Sequence, residues 1–329
     1  MAAGGDEPRP AASRPGGGGG DAFSLEGVAA GGKRAMAAAL AAIERRPGDP
    51  TVVALLDRAV AAPKAHVVGI TGPPGVGKSS LIDALIRRWR AAGRTVGIVA
   101  VDPSSRRSGG ALLGDRTRMA TDPLDPGVYV RSLASRGRLG GLADLAYPVA
   151  VLMRAVYDRV IVESVGVGQS EAEITGIADT VLLCVQPGSG DSLQFMKAGI
   201  MEIPDIIAVT KADFGAAALR AEAELKAALS LATAGEWPVA VTRLSSQTGE
   251  GLDGLDAALA DHLAFLAGSG RLDAARRAQA GAWVDEAIRE AAGRQGLQAA
   301  QALIEREAGR SGPFETARTV LARLTVSTL

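Results

Sequence analysis

A doubly wound, mostly parallel α/β sheet with helices before and after it is the fold the sequence predicts. Two observations carry that prediction. Short apolar runs alternate with stretches long enough to be crossover helices, the pattern of a parallel sheet. Aromatic residues are only 3% of the chain while Ala, Gly, Leu and Val dominate, so the core must be aliphatic, as strands buried on both faces require.

Taken in order, residues 1–23 are Gly-, Pro- and Ala-rich and offer almost nothing to bury, which predicts a disordered tail. Residues 24–62 read as helix: Leu25, Val28, Met36, Leu40 and Ile43 recur at helical spacing, and Pro47 and Pro50 interrupt the segment. Strand-like runs then fall at 66–71, 95–101, 127–131, 159–163, 180–185, 206–209 and 238–242, with Ser79–Ala92 and Gly141–Tyr157 as helices between them. These runs place the sheet domain at 63–266. Strand signals stop after Leu266, GSGR makes a break, and residues 267–329 read as a helical arm. Val284, Ile288 and Ala291 share one face there, Leu297, Ala300 and Ile304 another, and Ser311-Gly312-Pro313 marks a further helix start.

Composition excludes several function classes. The 36 basic and 36 acidic residues cancel, so the net field predicts neither nucleic acid nor an anionic membrane as partner. The Arg87, Arg88 and Arg90 cluster, without an aromatic platform, reads as a solvated helix face. No apolar run reaches the ~20 residues of a membrane span, and the amino terminus has neither a signal-peptide core nor a transit-peptide pattern. The single cysteine, Cys184, lies in the apolar run VLLCV and reads as buried, which with the missing leader predicts a reducing, cytoplasmic setting.

The strongest motif is Gly72-Pro73-Pro74-Gly75-Val76-Gly77-Lys78-Ser79, followed by Ser80, between the run HVVGIT and the helical SSLIDALIRRW. This is a phosphate-binding loop in its confirming strand–loop–helix context. Glycines let backbone N–H groups converge on phosphate oxygens, and the helix N-terminus adds a favourable dipole. Lys78 then neutralises the β- and γ-phosphates, and the Ser79 hydroxyl ligates Mg²⁺.

Acidic residues follow where a metal would need them. Asp102 and Glu163 both end apolar runs, and the carboxyl ends of parallel strands face the ligand crevice. Asp115 follows in the Gly- and Arg-rich GGALLGDRTRM. Glu163 opens an E-x-x-G element whose Gly166 amide is placed for a γ-phosphate, and Gln169 is the candidate for orienting an attacking water. Because Gln169 stands three residues after Gly166, with Val167 directly after the glycine, hydrolysis is predicted to be slow without a partner.

Thr210-Lys211-Ala212-Asp213 stands where a guanine-reading Asn-Lys-x-Asp is expected. Asp213 can accept from both the guanine ring N–H and its exocyclic amine, a pair adenine lacks, so it selects the base. Lys211 can lay its stem across the purine. Thr210 keeps a hydroxyl in place of an amide. LSSQTGEGL supplies Ser245, Ser246 and Gln247 as a second base-reading loop.

Taken together, GITGPPGVGKSSLIDAL, VAVDPSS, GGALLGDRTRM, VESVGVGQSE, VQPGSGDSLQFMKAGIMEI and TKADF resemble the MeaB/ArgK family, over essentially residues 25–329. Those proteins are P-loop GTPases acting as chaperones of adenosylcobalamin-dependent acyl-CoA mutases. The resemblance implies GTP/GDP and Mg²⁺ as cofactors, a mutase of the methylmalonyl-CoA type as partner, and homodimerisation through the C-terminal helices. It also implies a third switch in GSGDSLQFMK, with Asp191, Gln194 and Lys197 as its polar members. Departures are Thr210 for Asn, Ser246 for Ala and Arg116 for Lys. Two alternatives stay open: a guanine-nucleotide regulatory module that barely hydrolyses, and a maturation GTPase for another metallo- or cofactor enzyme. Nickel-inserting maturation GTPases need His/Cys-rich loops. The two histidines, His66 and His262, lie far apart in the chain and better suit core or surface roles.

Overall fold

The computed structural model describes residues 23–102, 122–134, 145–164, 173–188, 203–231 and 235–327. Nearly all of the predicted tail, and Asp115, Gly166, Gln169, Asp191, Gln194 and Lys197, lie outside the described residues; at Asp102 only the backbone is described.

Three helices lead in: α1 (Leu25–Ala30), α2 (Gly32–Arg45) and α3 (Pro50–Ala61). Their starts follow from local chemistry. The Ser24 hydroxyl accepts from Gly27 N at 2.9 Å, and Asp49 accepts from Thr51 N at 2.9 Å with Pro50 in the first turn. The sheet and its crossovers then alternate: β1 (His66–Thr71), α4 (Lys78–Ala91), β2 (Val96–Asp102), β3 (Val128–Ala134), α5 (Ala146–Val156), β4 (Arg159–Glu163), β5 (Thr180–Val185), β6 (Ile206–Val209), α6 (Ala216–Leu231), β7 (Ala240–Arg243) and α7 (Leu252–Gly268).

The seven strands run β3-β2-β4-β1-β5-β6-β7, and every pairing is parallel. Alternate residues of each strand bury on opposite faces. Val67, Val99, Val160, Val162 and Val181 pack with Met36, Leu40, Leu56, Leu152 and Met153 of α2, α3 and α5. Val68, Ile70, Ile98, Ile161, Leu182 and Ile206 pack with Leu81, Leu85 and Trp89 of α4 and Leu255 of α7. Both faces are therefore covered, and the strands read as unbroken apolar runs for that reason. Emptying one such site, as in Leu85→Ala, should cost about 2–5 kcal/mol.

Three strands depart from the expected ranges. β2 is shifted by one residue, to Val96–Asp102. β3 continues to Ala134 because Ser132, Leu133 and Ala134 pair with Ala100, Val101 and Asp102. β7 begins only at Ala240, since Pro238 has no N–H to give the ladder. The predicted solvated arginine face is also corrected. Only Arg87 is exposed; Arg88 reaches Asp256 (2.7 Å) and Asp253 on α7, and Arg90 grips Asp125 through two bonds of 2.8 Å. Acidic partners distant in sequence turn those arginines into ties between elements.

The C-terminal segment contains α8 (Arg271–Ala308) and α9 (Pro313–Ser327). Gly293, at φ 72° and ψ 180°, breaks α8. Val284, Ile288, Ala300 and Ile304 nevertheless join one apolar cluster with Ala317 and Val320 of α9. A straight helix would set Val284 and Ile304 about 30 Å apart, so α8 folds back on itself at Gly293. This bundle is docked on the rest of the chain. Arg276 pairs with Asp179 (2.8 and 2.7 Å) and donates to Ala65 O; Gln279 Nε2 donates to Thr175 O and Ala178 O. Asp57 of α3 caps α9 through Phe314 N and Glu315 N, while Trp283 stacks on Tyr147 and packs at a tilt against Phe314. Among the described residues no helix is long and apolar enough to cross a membrane.

Candidate functional site

The loop after β1 is shaped by three glycines that a side chain would strain. Gly72 (φ 135°) passes so close to β5 that a Cβ would sit 2.3 Å from Cys184 O; Gly75 (φ 77°) and Gly77 (φ 102°) also hold left-handed backbone, Gly77 as the cap of α4. Cys184 itself is enclosed, and burial pushes its thiol up to about 12, so it is a packing residue.

Lys78, the first residue of α4, is buried, and its Nζ donates to Gly72 O (2.6 Å) and Pro73 O (3.2 Å), curling over its own loop. A cation held by carbonyl oxygens is ready to exchange them for an anion. Ser79 Oγ donates to Glu163 Oε1 at 3.4 Å. β4 lies between β2 and β1, so Glu163 is opposite Ile70 and Ala100, and Asp102 lies two positions further along β2. Strand order therefore brings both predicted carboxylate positions to the loop's edge of the sheet. Ser164 extends the β4–β1 ladder through its N–H to Ile70 O and donates its hydroxyl to Thr71 Oγ1 at 2.8 Å.

The second half of the site comes from the ends of β6 and β7. Thr210 N donates to Val185 O, and the Thr210 hydroxyl reaches Val76 O at 2.7 Å and Val185 O at 3.0 Å. One buried hydroxyl thus joins the phosphate loop, the end of β5 and the start of the TKAD turn. Lys211 is the one non-glycine residue with positive φ among the described residues (57°), and its Nζ donates to Gly75 O at 3.2 Å and to Gln186 Oε1. Ala212 N donates to Leu244 O, which hangs the Ala212–Phe214 turn beside the loop after β7. That loop is closed by Ser245 N to Glu250 O and Gly249 N to Ser245 O.

These three elements enclose a cavity of about 160 Å³. Val76, Gly77 and Ser80 form one side, Thr210, Lys211, Asp213 and Phe214 another, and Ser245, Ser246 and Gln247 the third. Asp213 is exposed at its rim. Phe214 was not foreseen. It is 57% exposed, with Lys211 Nζ 5.9 Å from its ring centre; an aromatic in a turn directly after Asp213, with no apolar partner in sequence, was the available signal.

Among the described residues no three His, Cys, Asp or Glu side chains gather as a metal cluster. The donors at the phosphate loop are instead a hydroxyl and a carboxylate. That hard-oxygen pair suits Mg²⁺, which usually takes one or two protein ligands and fills its shell with phosphate oxygens and water. The histidines stand at the opposite edge of the sheet, where one hydroxyl, that of Thr180, bonds both His66 Nε2 (2.6 Å) and His262 Nδ1 (2.8 Å).

A family model described as "Methylmalonyl Co-A mutase-associated GTPase MeaB" matches residues 36–301. A relative in Pyrococcus horikoshii is 46% identical over 65% of this chain and 68% of its own. The Mus musculus protein named methylmalonic aciduria type A homolog, mitochondrial, is 36% identical over 69% of this chain and 56% of its own. A solved structure named as an LAO/AO transport system kinase superposes with a TM-score of 0.66 at 26% identity, covering 95% of this chain and 98% of that one.

Proposed function

Because the chain belongs to the MeaB family of methylmalonyl-CoA mutase-associated GTPases, we propose that it gates adenosylcobalamin loading and protection of a cobalamin-dependent acyl-CoA mutase of the methylmalonyl-CoA type. The chain is a P-loop GTPase that binds GTP and GDP. The observation that carries the finer reading is the single cavity shared by the phosphate loop, Thr210–Phe214 and Ser245–Gln247. It supports a guanine site with Asp213 selecting the base, Thr210 tying the base loop to the phosphate loop, and the Ser245–Gln247 loop facing the guanine rim.

In this reading Lys78 leaves the Gly72 and Pro73 carbonyls for the β- and γ-phosphates, and loop N–H groups cradle the same oxygens. Ser79 and Glu163, joined by Asp102 and Asp115, would hold Mg²⁺, which when bound would neutralise phosphate charge. The Gly166 amide receives the γ-phosphate and Gln169 orients water. Asp191, Gln194 and Lys197 carry the nucleotide state to the mutase, and the C-terminal helices pair two copies.

Capture of candidate mutases by this protein, loaded in turn with GDP and a non-hydrolysable GTP analogue, tests the proposal. Nucleotide-dependent capture of a cobalamin mutase is expected. Equal absence of capture in both states would overturn the chaperone reading while leaving the GTPase intact.

A further inference from the structure

A second cavity, of about 420 Å³, opens at the other edge of the molecule between α3, α5, α8 and α9. Its volume falls within the roughly 300–1,000 Å³ typical of small-molecule sites. Lys64 N and Ala65 N both donate to Arg154 O, which sets the end of α5 beside the start of β1, away from the phosphate loop.

Arg154 is the unusual residue here. It lines the cavity, is only 3% exposed, and its Nε is fully enclosed without a hydrogen-bond partner. No hydrogen bond or ion pair to its guanidinium exists among the described residues. A buried guanidinium cannot shed its proton, so it calls for a compensating anion or a satisfied hydrogen-bond set. Among the charges facing it, Asp179 attracts the guanidinium without bonding it. Arg276, on α8, already has its Asp179 partner; Arg277, on the same helix, is a second cation without an ion pair among the described residues. Asp273 is the single acidic side chain lining the cavity, and it is exposed at the mouth. α3 and α9 add no charge to the lining. The cavity therefore keeps an excess of positive charge against walls of Val60, Ala280, Val284 and Ile304.

We propose that this cavity binds a small organic anion, a carboxylate or phosphate head on an apolar body, with Arg154 as the buried charge partner of the head and Arg277 as the entry cation. A bidentate guanidinium suits either head, and the aliphatic walls suit the body. The bound molecule would bridge α3, α5, the folded-back α8 and α9. It is a site separate from the nucleotide cavity and does not depend on the mutase reading.

Calorimetry and thermal unfolding of the full chain test this with butyrate, hexanoate and octanoate, the alkyl phosphates, alcohols and amines of the same lengths, and inorganic phosphate alone. Alkyl carboxylates or alkyl phosphates should bind and raise the midpoint, and the tighter class identifies the head. The alcohols, the amines and bare phosphate should bind at least about tenfold more weakly. Arg154→Met should remove binding while guanine-nucleotide affinity, which uses none of these residues, is retained. If Arg154→Met fails to fold, Arg277→Gln on the exposed mouth should still weaken the organic anion several-fold. Binding of alcohols as tight as that of anions, a silent panel, or anion affinity unchanged in both variants overturns the proposal.

Discussion

The two edges of this sheet handle polar groups in opposite ways. At the carboxyl ends of the strands, polar groups are held loosely: Lys78 rests on carbonyls of its own loop, Ser79 and Glu163 stand at 3.4 Å, and Asp213 is exposed. At the amino ends they are consumed by one another. Thr180 bridges His66 and His262, His262 Nε2 faces Asp205 at 3.3 Å, Asp205 accepts from Val181 N, and Asp179 takes Val67 N and Arg276. The first edge has partners a ligand can replace, whereas those at the second are tied to one another, Arg154 excepted. Substitutions at the first should change nucleotide handling with little effect on stability, and those at the second the reverse.

The sharpest way to break that contrast is Arg276→Met. Asp179, whose side chain is fully buried, would lose its counterion, and a loss of about 3–5 kcal/mol is expected in denaturant unfolding. At the opposite edge, Lys78→Ala should slow single-turnover phosphate release by about 10²–10³-fold, in line with removal of one preorganised charge contact. Its unfolding midpoint should hardly move. Asp213→Asn should reduce the preference for GTP over ATP by about 10²-fold in competition binding. A preference left intact would remove Asp213 from the base-reading role.

Acid provides a subtler comparison. Burial drives His66 and His262 from an ordinary 6.5 down to about 4, so both stay neutral in the folded state. Between those values the unfolded chain binds more protons, and stability must fall as pH drops from about 6.5 towards 4. Burial raises Asp205 to about 6, which acts in the opposite sense over part of the same window, one group against two. Unfolding midpoints should therefore decline over this range, and His66→Gln with His262→Gln should flatten the decline. Nucleotide affinity should not follow the same curve. The smallest effect belongs to Thr210→Val. Losing a hydroxyl that bonds Val76 O should weaken GDP about five- to tenfold without altering base preference.

Legibility followed the same division. β1, β4, β5 and β6 were bounded correctly from apolar runs because both faces of those strands are buried, and the phosphate loop was plain because its glycines are demanded by backbone geometry. The gathering of Thr210, Asp213 and Ser245 beside Val76 was also foreseen, since strand order at a parallel sheet's carboxyl edge fixes it. The amino edge was opaque. His66 and His262 are nearly two hundred residues apart, and nothing local says they share the Thr180 hydroxyl. The turn at Gly293 was hidden for another reason: GRQG lies within good helix formers and lacks a proline, so the text reads as one helix. Arg154 sits in apolar helical sequence, and its burial depends on α3, α8 and α9 closing over it.

That last dependence has a temporal side. β7 closes the sheet at Arg243, yet the counterion of the buried Asp179 is made roughly thirty residues later, at Arg276. A chain emerging from the ribosome at about 5–20 residues per second can thus assemble its nucleotide edge while the opposite edge still waits for a charge not yet synthesised. The Asp179–Arg276 pair acts as a latch on the order of assembly: the half that handles GTP can form first, and the half that holds the molecule together is sealed last.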